Sequence, residues 1–433
     1  MKKPSRLKHL VPVALALAVL AVIAARAGGP LIVGGPGMAE GVPFVWATIN
    51  PLTYWTDLGS LGTLNNTGAN TLVQQAFQAW QDVPTATISF SRSGPLGADV
   101  TASNILAVQN ALYDCSTLPG DPAGGIAKPR TIVYDTDGSI IEALGGDPNS
   151  TLGEAMALCF TTDGVNNNFN RGFAVINGKF ATNATLVKAV MIHEFGHMIG
   201  LDHSQINLDC LTGTCSSAEL DGVPTMFPVL IDEVAMSILA TDDIAAISAL
   251  YSESTFPTST GRITGHVLFS DGPTPAQGFN VIARRVGDPL VTAVSSVSGY
   301  LFTADAGNPI YPWPGSAFGS RDPARIGYYD LPGLPPGDYT VEVEAINNSG
   351  QYPFTGPSSV GPIGNLGFQF PLPSLLPTPP PCTPEYLVTG AVATCSSAAA
   401  TPIPIVGSSL VSTGTDVILI GTPPRYDAWE GGP

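Results

Sequence analysis

Positive charge is scarce in this chain. Lysine and arginine number 17 against 34 aspartates and glutamates, a formal charge of −17 over 433 residues. Such a surface repels the phosphates of nucleic acids and the face of an anionic membrane, so no nucleic-acid partner is expected, while solubility and cation binding are favoured. Charged residues of either sign make up only 12% of the chain, whereas 48 glycines and 40 prolines are present. That balance implies many turns and loops. Cysteine is limited to six, and no CxxC pairs with another, which argues against a cysteine-built metal site. Histidine is scarcer still, with five in all.

Three of those histidines share the stretch from Asn183 to Ser204, NATLVKAVMIHEFGHMIGLDHS. Asn183 is a good N-cap type, and a helix starting there carries His193 and His197 one turn apart on one face, where two imidazoles can grip one ion. Gly200 can take the left-handed conformation that ends a helix and turns the chain, which brings His203 back as a third ligand. Three nitrogens leave a fourth position open for a water acidified toward neutrality, the arrangement of a catalytic rather than a structural zinc. Glu194, next to the first ligand, stands beside that water as the general base.

The spacing HExxHxxGxxH is the signature of the metzincin metallopeptidases. Ser204 after the third histidine, the sequence Thr225-Met226-Phe227-Pro228 and the later TDDIAAISALY from Thr241 to Tyr251 resemble the matrixins, the family of the matrix metalloproteinases. The resemblance covers roughly Pro43 to Ser254. It implies an α+β metzincin catalytic domain, a twisted mixed sheet with a zinc-binding active-site helix, in which Met226 forms the Met-turn beneath the metal and a final helix closes the domain. It also implies an edge strand that pairs with the extended substrate backbone, placed here at Phe173 to Ile176. No tyrosine stands two positions after Met226, unlike the astacin and serralysin branches. With no spare histidine in this region, one zinc is expected rather than the two of many animal matrixins. The link from His203 to Met226 is longer than usual in the family, so cleavage specificity does not transfer.

The chain opens with Lys2, Lys3, Arg6 and Lys8 before an apolar run, Leu10 to Ile23, and a small-x-small site at Ala25-Arg26-Ala27. Residues 1–27 are therefore expected to be a signal peptide, with an uncleaved anchor as the alternative, and the protein to be secreted or periplasmic without stable membrane insertion once the signal is removed. Removing this leader takes five basic residues with it and makes the chain still more acidic. Residues 28–42 are expected to be a short linker. From residue 43, FVWATINPLTYW suggests a strand, TLVQQAFQAWQDV a helix burying Leu72, Val73, Ala76, Phe77, Trp80 and Val83, and TATISF another strand. Thr131 to Tyr134 and Gly172 to Asn177 also read as strands. Asp135, Asp137 and Glu142 offer clustered carboxylates for a calcium ion, or a plain Asp-Gly turn between strands. In an exported chain six cysteines imply three disulfides, and proximity suggests Cys210 with Cys215 and Cys382 with Cys395, leaving Cys115 with Cys159. Cys115 is the first cysteine of the sequence, so a thiolate-latched N-terminal prodomain, which many matrixins use, is not expected.

After Tyr251 the composition changes. Residues 255–260 are expected to be a linker, and 261–421 a β-sandwich built from GRITGHVLFSDG, QGFNVIARRV, SGYLFTA and PPGDYTVEVEAI, with a Pro-rich insertion at about 374–404 and a last strand at Asp416 to Ile420. Residues 422–433 form a tail. The closing LPPGDYTVEVEA resembles the prealbumin-like sandwich found beside secreted peptidases, including carboxypeptidase regulatory domains. That resemblance implies either a spacer or a surface and substrate contact. The whole sequence thus predicts a secreted zinc-dependent endopeptidase acting on protein or peptide substrates. Its rival is a non-catalytic secreted surface or adhesion protein with a relic metzincin fold.

Overall fold

The structure, a computed structural model, describes residues 29–47, 51–117, 125–204, 206–207, 210, 215–301, 320, 322–345, 382, 384–406 and 411–422. These residues form a mixed α/β fold with several sheets and, among them, no barrel. The expected signal peptide, the greater part of the Pro-rich stretch and nearly all of the C-terminal tail lie outside the described residues. Among the described residues no helix is long and apolar enough to cross a membrane.

The first half is a six-stranded sheet between two helical layers. Strands β1 (Phe44–Trp46), β2 (Leu52–Thr56), β3 (Phe90–Pro95), β4 (Arg130–Asp135) and β6 (Asn167–Asn177) run in the order β1-β6-β4-β2-β3, all pairs parallel, and β5 (Gly153–Thr162) pairs antiparallel with β6. The period of two along these strands decides which layer each side chain enters. In β4, Ile132 and Tyr134 join the core beneath helices α1 (Asn66–Gln81) and α4 (Ala184–Met198), while Val133 faces α2 (Ile105–Tyr113) and α3 (Ser139–Leu144). In β6, Ala174 and Ile176 take the first side, Phe173 and Val175 the second. The apolar face of α1 is the one its spacing predicts, with Leu72, Val73, Ala76, Phe77 and Trp80 buried, and Asn65 caps it by accepting from the Gly68 N–H at 2.9 Å.

Several expectations need correction. Residues Phe173 to Ile176 are not a sheet edge. They pair with β4 on one side and with β5 on the other, and among the described residues the open edge on this side of the sheet belongs to β5. The strand read at Thr85 begins only at Phe90. Before it the chain is held by the end of helix α6 (Thr241–Leu250), with the Thr87 N–H donating to Tyr251 O and the Glu253 N–H to Thr85 O. The stretch taken as an N-terminal linker is packed in place: Leu31 and Val33 are buried, Pro30 bridges to Leu201 and Val33 to Pro43.

The second half holds two sheets around one core. One contains β7 (Gly261–Leu268), β10 (Tyr328–Leu334), β14 (Val411–Ser412) and β15 (Val417–Ile418). The other contains β8 (Phe279–Arg285), β9 (Ala293–Val297), β11 (Gly337–Ala345), β12 (Glu385–Tyr386) and β13 (Ile403–Ile405). Ile263, Tyr329 and Val417 from the first meet Val281, Val294, Val341 and Ile405 from the second in a single buried cluster. Within Asp416 to Ile420 only Val417–Ile418 is a strand, and it pairs parallel with β7. The region expected to be an irregular insertion contributes β12 and most of β13, both pairing with β11, because tertiary pairing overrides its poor strand composition. The strand read at SGYLFTA is a turn where it is described, at Ser298 to Leu301. Residues 302–304 lie outside the described residues.

Candidate metal centre

Helix α4 runs buried between α1 and the sheet. Asn183 caps its start, its side chain accepting from the Leu186 N–H at 2.8 Å. Its end is held by two other parts of the chain, and its middle by a third. The last carbonyls of a helix lack intrahelical partners, and here Trp46 Nε1 donates to Met198 O at 2.8 Å and the Tyr251 hydroxyl to Ile199 O at 2.7 Å. Trp80 Nε1 reaches the Ile192 carbonyl at 2.9 Å. Gly200 then takes φ 98°, a left-handed conformation that glycine adopts without strain, and Leu201 N–H closes the turn on Gly196 O.

This turn brings His203 back over the helix. The Nε2 atoms of His193, His197 and His203 lie 3.0 to 3.1 Å from one another. His193 Nδ1 is 2.7 Å from Thr225 O and His197 Nδ1 is 3.0 Å from Leu201 O. A carbonyl oxygen can only accept, so each Nδ1 carries the proton and each Nε2 presents a lone pair. Lone pairs converging at such distances repel one another unless a cation lies between them, and neutral imidazoles are what a divalent ion requires. Burial also keeps the rings neutral, pushing His193 down to about 4 and, with His193 nearby, His197 down to about 3. The three residues can hold one metal ion, and they are the only such cluster among the described residues.

Glu194 is buried beside them. A Cβ on Gly153, at the start of β5, would lie 2.7 Å from Glu194 Cγ, so only glycine lets the strand pass this close to the carboxyl. Burial, reinforced by the neighbouring Glu154, raises Glu194 well above the usual carboxylate range. Glu154 is itself pushed up to about 7 by burial.

Met226 lies directly under the helix, where a Cβ on Gly196 would overlap its Sδ. Its turn is tied down by Asp243, which the sequence pattern marks only as part of the closing helix. The Asp243 carboxylate accepts from Thr225 N, Met226 N and Ala240 N at 2.7, 3.0 and 2.8 Å. Since Thr225 O orients His193, Asp243 acts on the metal site through one intervening peptide.

Asp135, Asp137 and Glu142 do not come together as a metal-binding cluster among the described residues. Asp135 is buried and its carboxylate accepts from the N–H groups of Gly138 and Ile141, both at 2.9 Å, while Asp137 accepts from Ser139 N at 3.1 Å. Glu142 points outward on α3. The carboxylates are spent on the backbone of an Asp-Gly turn, which leads from β4 into a helix rather than a second strand. The three disulfides are Cys210–Cys215 and Cys382–Cys395, the pairs that proximity suggested, and Cys115–Cys159, the pair that remained, and no described cysteine is free. Compared with family models and with curated proteins, the chain matches none.

Proposed function

We propose that this chain is an exported zinc-dependent endopeptidase of the metzincin type, similar to the matrixins, followed by a prealbumin-like β-sandwich. The observation that carries the reading is the convergence of three histidine Nε2 atoms beside a buried glutamate, two of them on a helix and the third returned by the left-handed Gly200 turn. Zinc at His193, His197 and His203 would supply a Lewis acid and lower the pKa of a water at its open fourth position. Glu194 is the group that takes the proton of the attacking water and returns it to the leaving amine. A carboxyl raised by burial suits a residue that must hold the proton between the two steps. Gly153 brings the open edge of β5 against this glutamate, and an extended peptide laid along that edge would place its backbone within reach. Three disulfides fit an oxidising compartment outside the cell.

The test is metal analysis with casein or quenched-peptide cleavage of the chain from Gly28. One zinc per chain and cleavage abolished by a chelator are expected. Zinc binding without any hydrolysis would favour the non-catalytic alternative.

A further inference from the structure

The segment that follows the third histidine is gripped by the second half of the molecule. Ile206, 1% exposed, is buried against Ile282 of β8 and Ala293 of β9. Asn207 accepts from Arg284 Nη1 at 2.9 Å and donates to the carbonyls of Leu290 and Glu219, each at 2.9 Å. The Ser204 hydroxyl lies 3.3 Å from the hydroxyl of Ser295 on β9 and also bonds to Asp242. Asp242, 3% exposed, receives Ser295 N at 2.7 Å and Ser295 Oγ at 3.1 to 3.2 Å.

Asp242 and Asp243 are neighbours at the start of α6 and point different ways. Asp243 holds the Met226 turn and, through Thr225 O, His193. Asp242 holds β9 and, through Ser204, the residue beside His203. On its other side Ser204 N–H donates to Met226 O at 2.9 Å, so both carboxylates act on one short piece of backbone. His203 needs this help because it is on no helix. The backbone from Leu201 to Ser204 is fixed only by its neighbours, and metal–ligand distances tolerate displacements of about 0.2 Å.

We infer that the metal centre is built by both halves of the chain: Asp242 is a positioning residue that, with Ser295, couples the second half to the segment carrying His203. The inference rests on the metal binding proposed for the three histidines, and on no catalytic step. Its consequence is that opening this joint changes the metal site itself, beyond any loss of stability.

The experiment uses the full chain from Gly28. Asp242→Asn and Ser295→Ala open the joint. Ser298→Ala is the control, because it removes a buried hydrogen bond of the second half, to Ala276 O, away from His203. Three quantities are read: zinc affinity by chelator competition, the visible spectrum of the cobalt-loaded protein, and thermal unfolding of the metal-free chain. Asp242→Asn and Ser295→Ala should weaken zinc by about 10- to 100-fold, the usual effect of losing an outer partner of a ligand, and shift the cobalt bands. Ser298→Ala should lower thermal stability alone. If Asp242→Asn does not fold, Ser295→Ala and Asn207→Ala decide by the same readouts. Zinc affinity and cobalt bands unchanged in the joint variants would overturn the inference, whatever happens to stability. A wild-type chain that takes up neither metal would instead refute the metal reading, and this inference with it.

Discussion

The first two histidines and the third reach the same point by different physics. His193 and His197 are four residues apart on a buried helix, so once the helix forms their relative placement follows from its geometry. His203 is held by the Gly200 turn, by Asp202 N–H donating to Gly29 O, by the Met226 turn and by the second half of the chain. A pair placed by local structure keeps its spacing through changes elsewhere that leave the helix intact, and depends on other elements only for the orientation of its rings. A ligand placed by tertiary contacts is exposed to changes in each of those contacts.

The sharpest break of this comparison is removal of a ligand from each side. His197→Ala and His203→Ala should both weaken zinc by more than the roughly 100-fold typical of an outer partner. Isothermal titration on both variants checks this, and full affinity in His203→Ala would mean that the third ligand is another residue. Glu194→Gln should act on rate and not on metal. Hydrolysis should fall by about 10²- to 10⁴-fold, the usual contribution of a general base, while zinc content stays at one per chain. Loss of zinc in this variant would make Glu194 a ligand rather than the base.

Asp243→Asn probes the other support, shared by the Met226 turn and His193. An amide offers one oxygen and an NH2 where the structure directs three backbone N–H groups at a carboxylate, so a buried donor is left facing a donor. The expected cost is about 1–3 kcal/mol in urea unfolding. Zinc affinity should drop as well, because Thr225 O loses its fixed position. An unchanged unfolding midpoint would contradict the role given to this carboxylate.

The smallest effect concerns pH. Burial depresses His193 to about 4 and His197 to about 3, so in the metal-free chain their contribution to stability is fully present above the unfolded histidine pKa of roughly 6.5 and is lost as pH falls toward 4 and 3. Carboxyls raised by burial act in the opposite sense: Glu154 and Asp243, both pushed to about 7, favour the folded state at low pH and lose that contribution as pH rises through 7. Because the two trends oppose, the imidazoles must be followed one by one. Ring-carbon chemical shifts of the metal-free chain should show His193 and His197 unprotonated from pH 7 to 5, and a midpoint near 6.5 for either would contradict the burial argument.

The three clustered histidines, the N-cap at Asn183, the stop at Gly200 and the buried face of α1 could all be read from the sequence, because each depends on residues within a few turns of one another. So could the disulfides Cys210–Cys215 and Cys382–Cys395, which are local, and Cys115–Cys159 was what remained. What tertiary structure alone decided is of another kind. The open edge is β5 and not Phe173 to Ile176, because alternation of side chains marks a strand but does not tell which of its sides a neighbour will occupy. The acidic turn at Asp135 to Glu142 holds its own backbone, since composition cannot distinguish a carboxylate facing N–H groups from one facing an ion. Asp242 and Asp243 are adjacent and chemically identical in the sequence. Only the packing of α6 between the Met226 turn and β9 gives one of them to each half of the molecule.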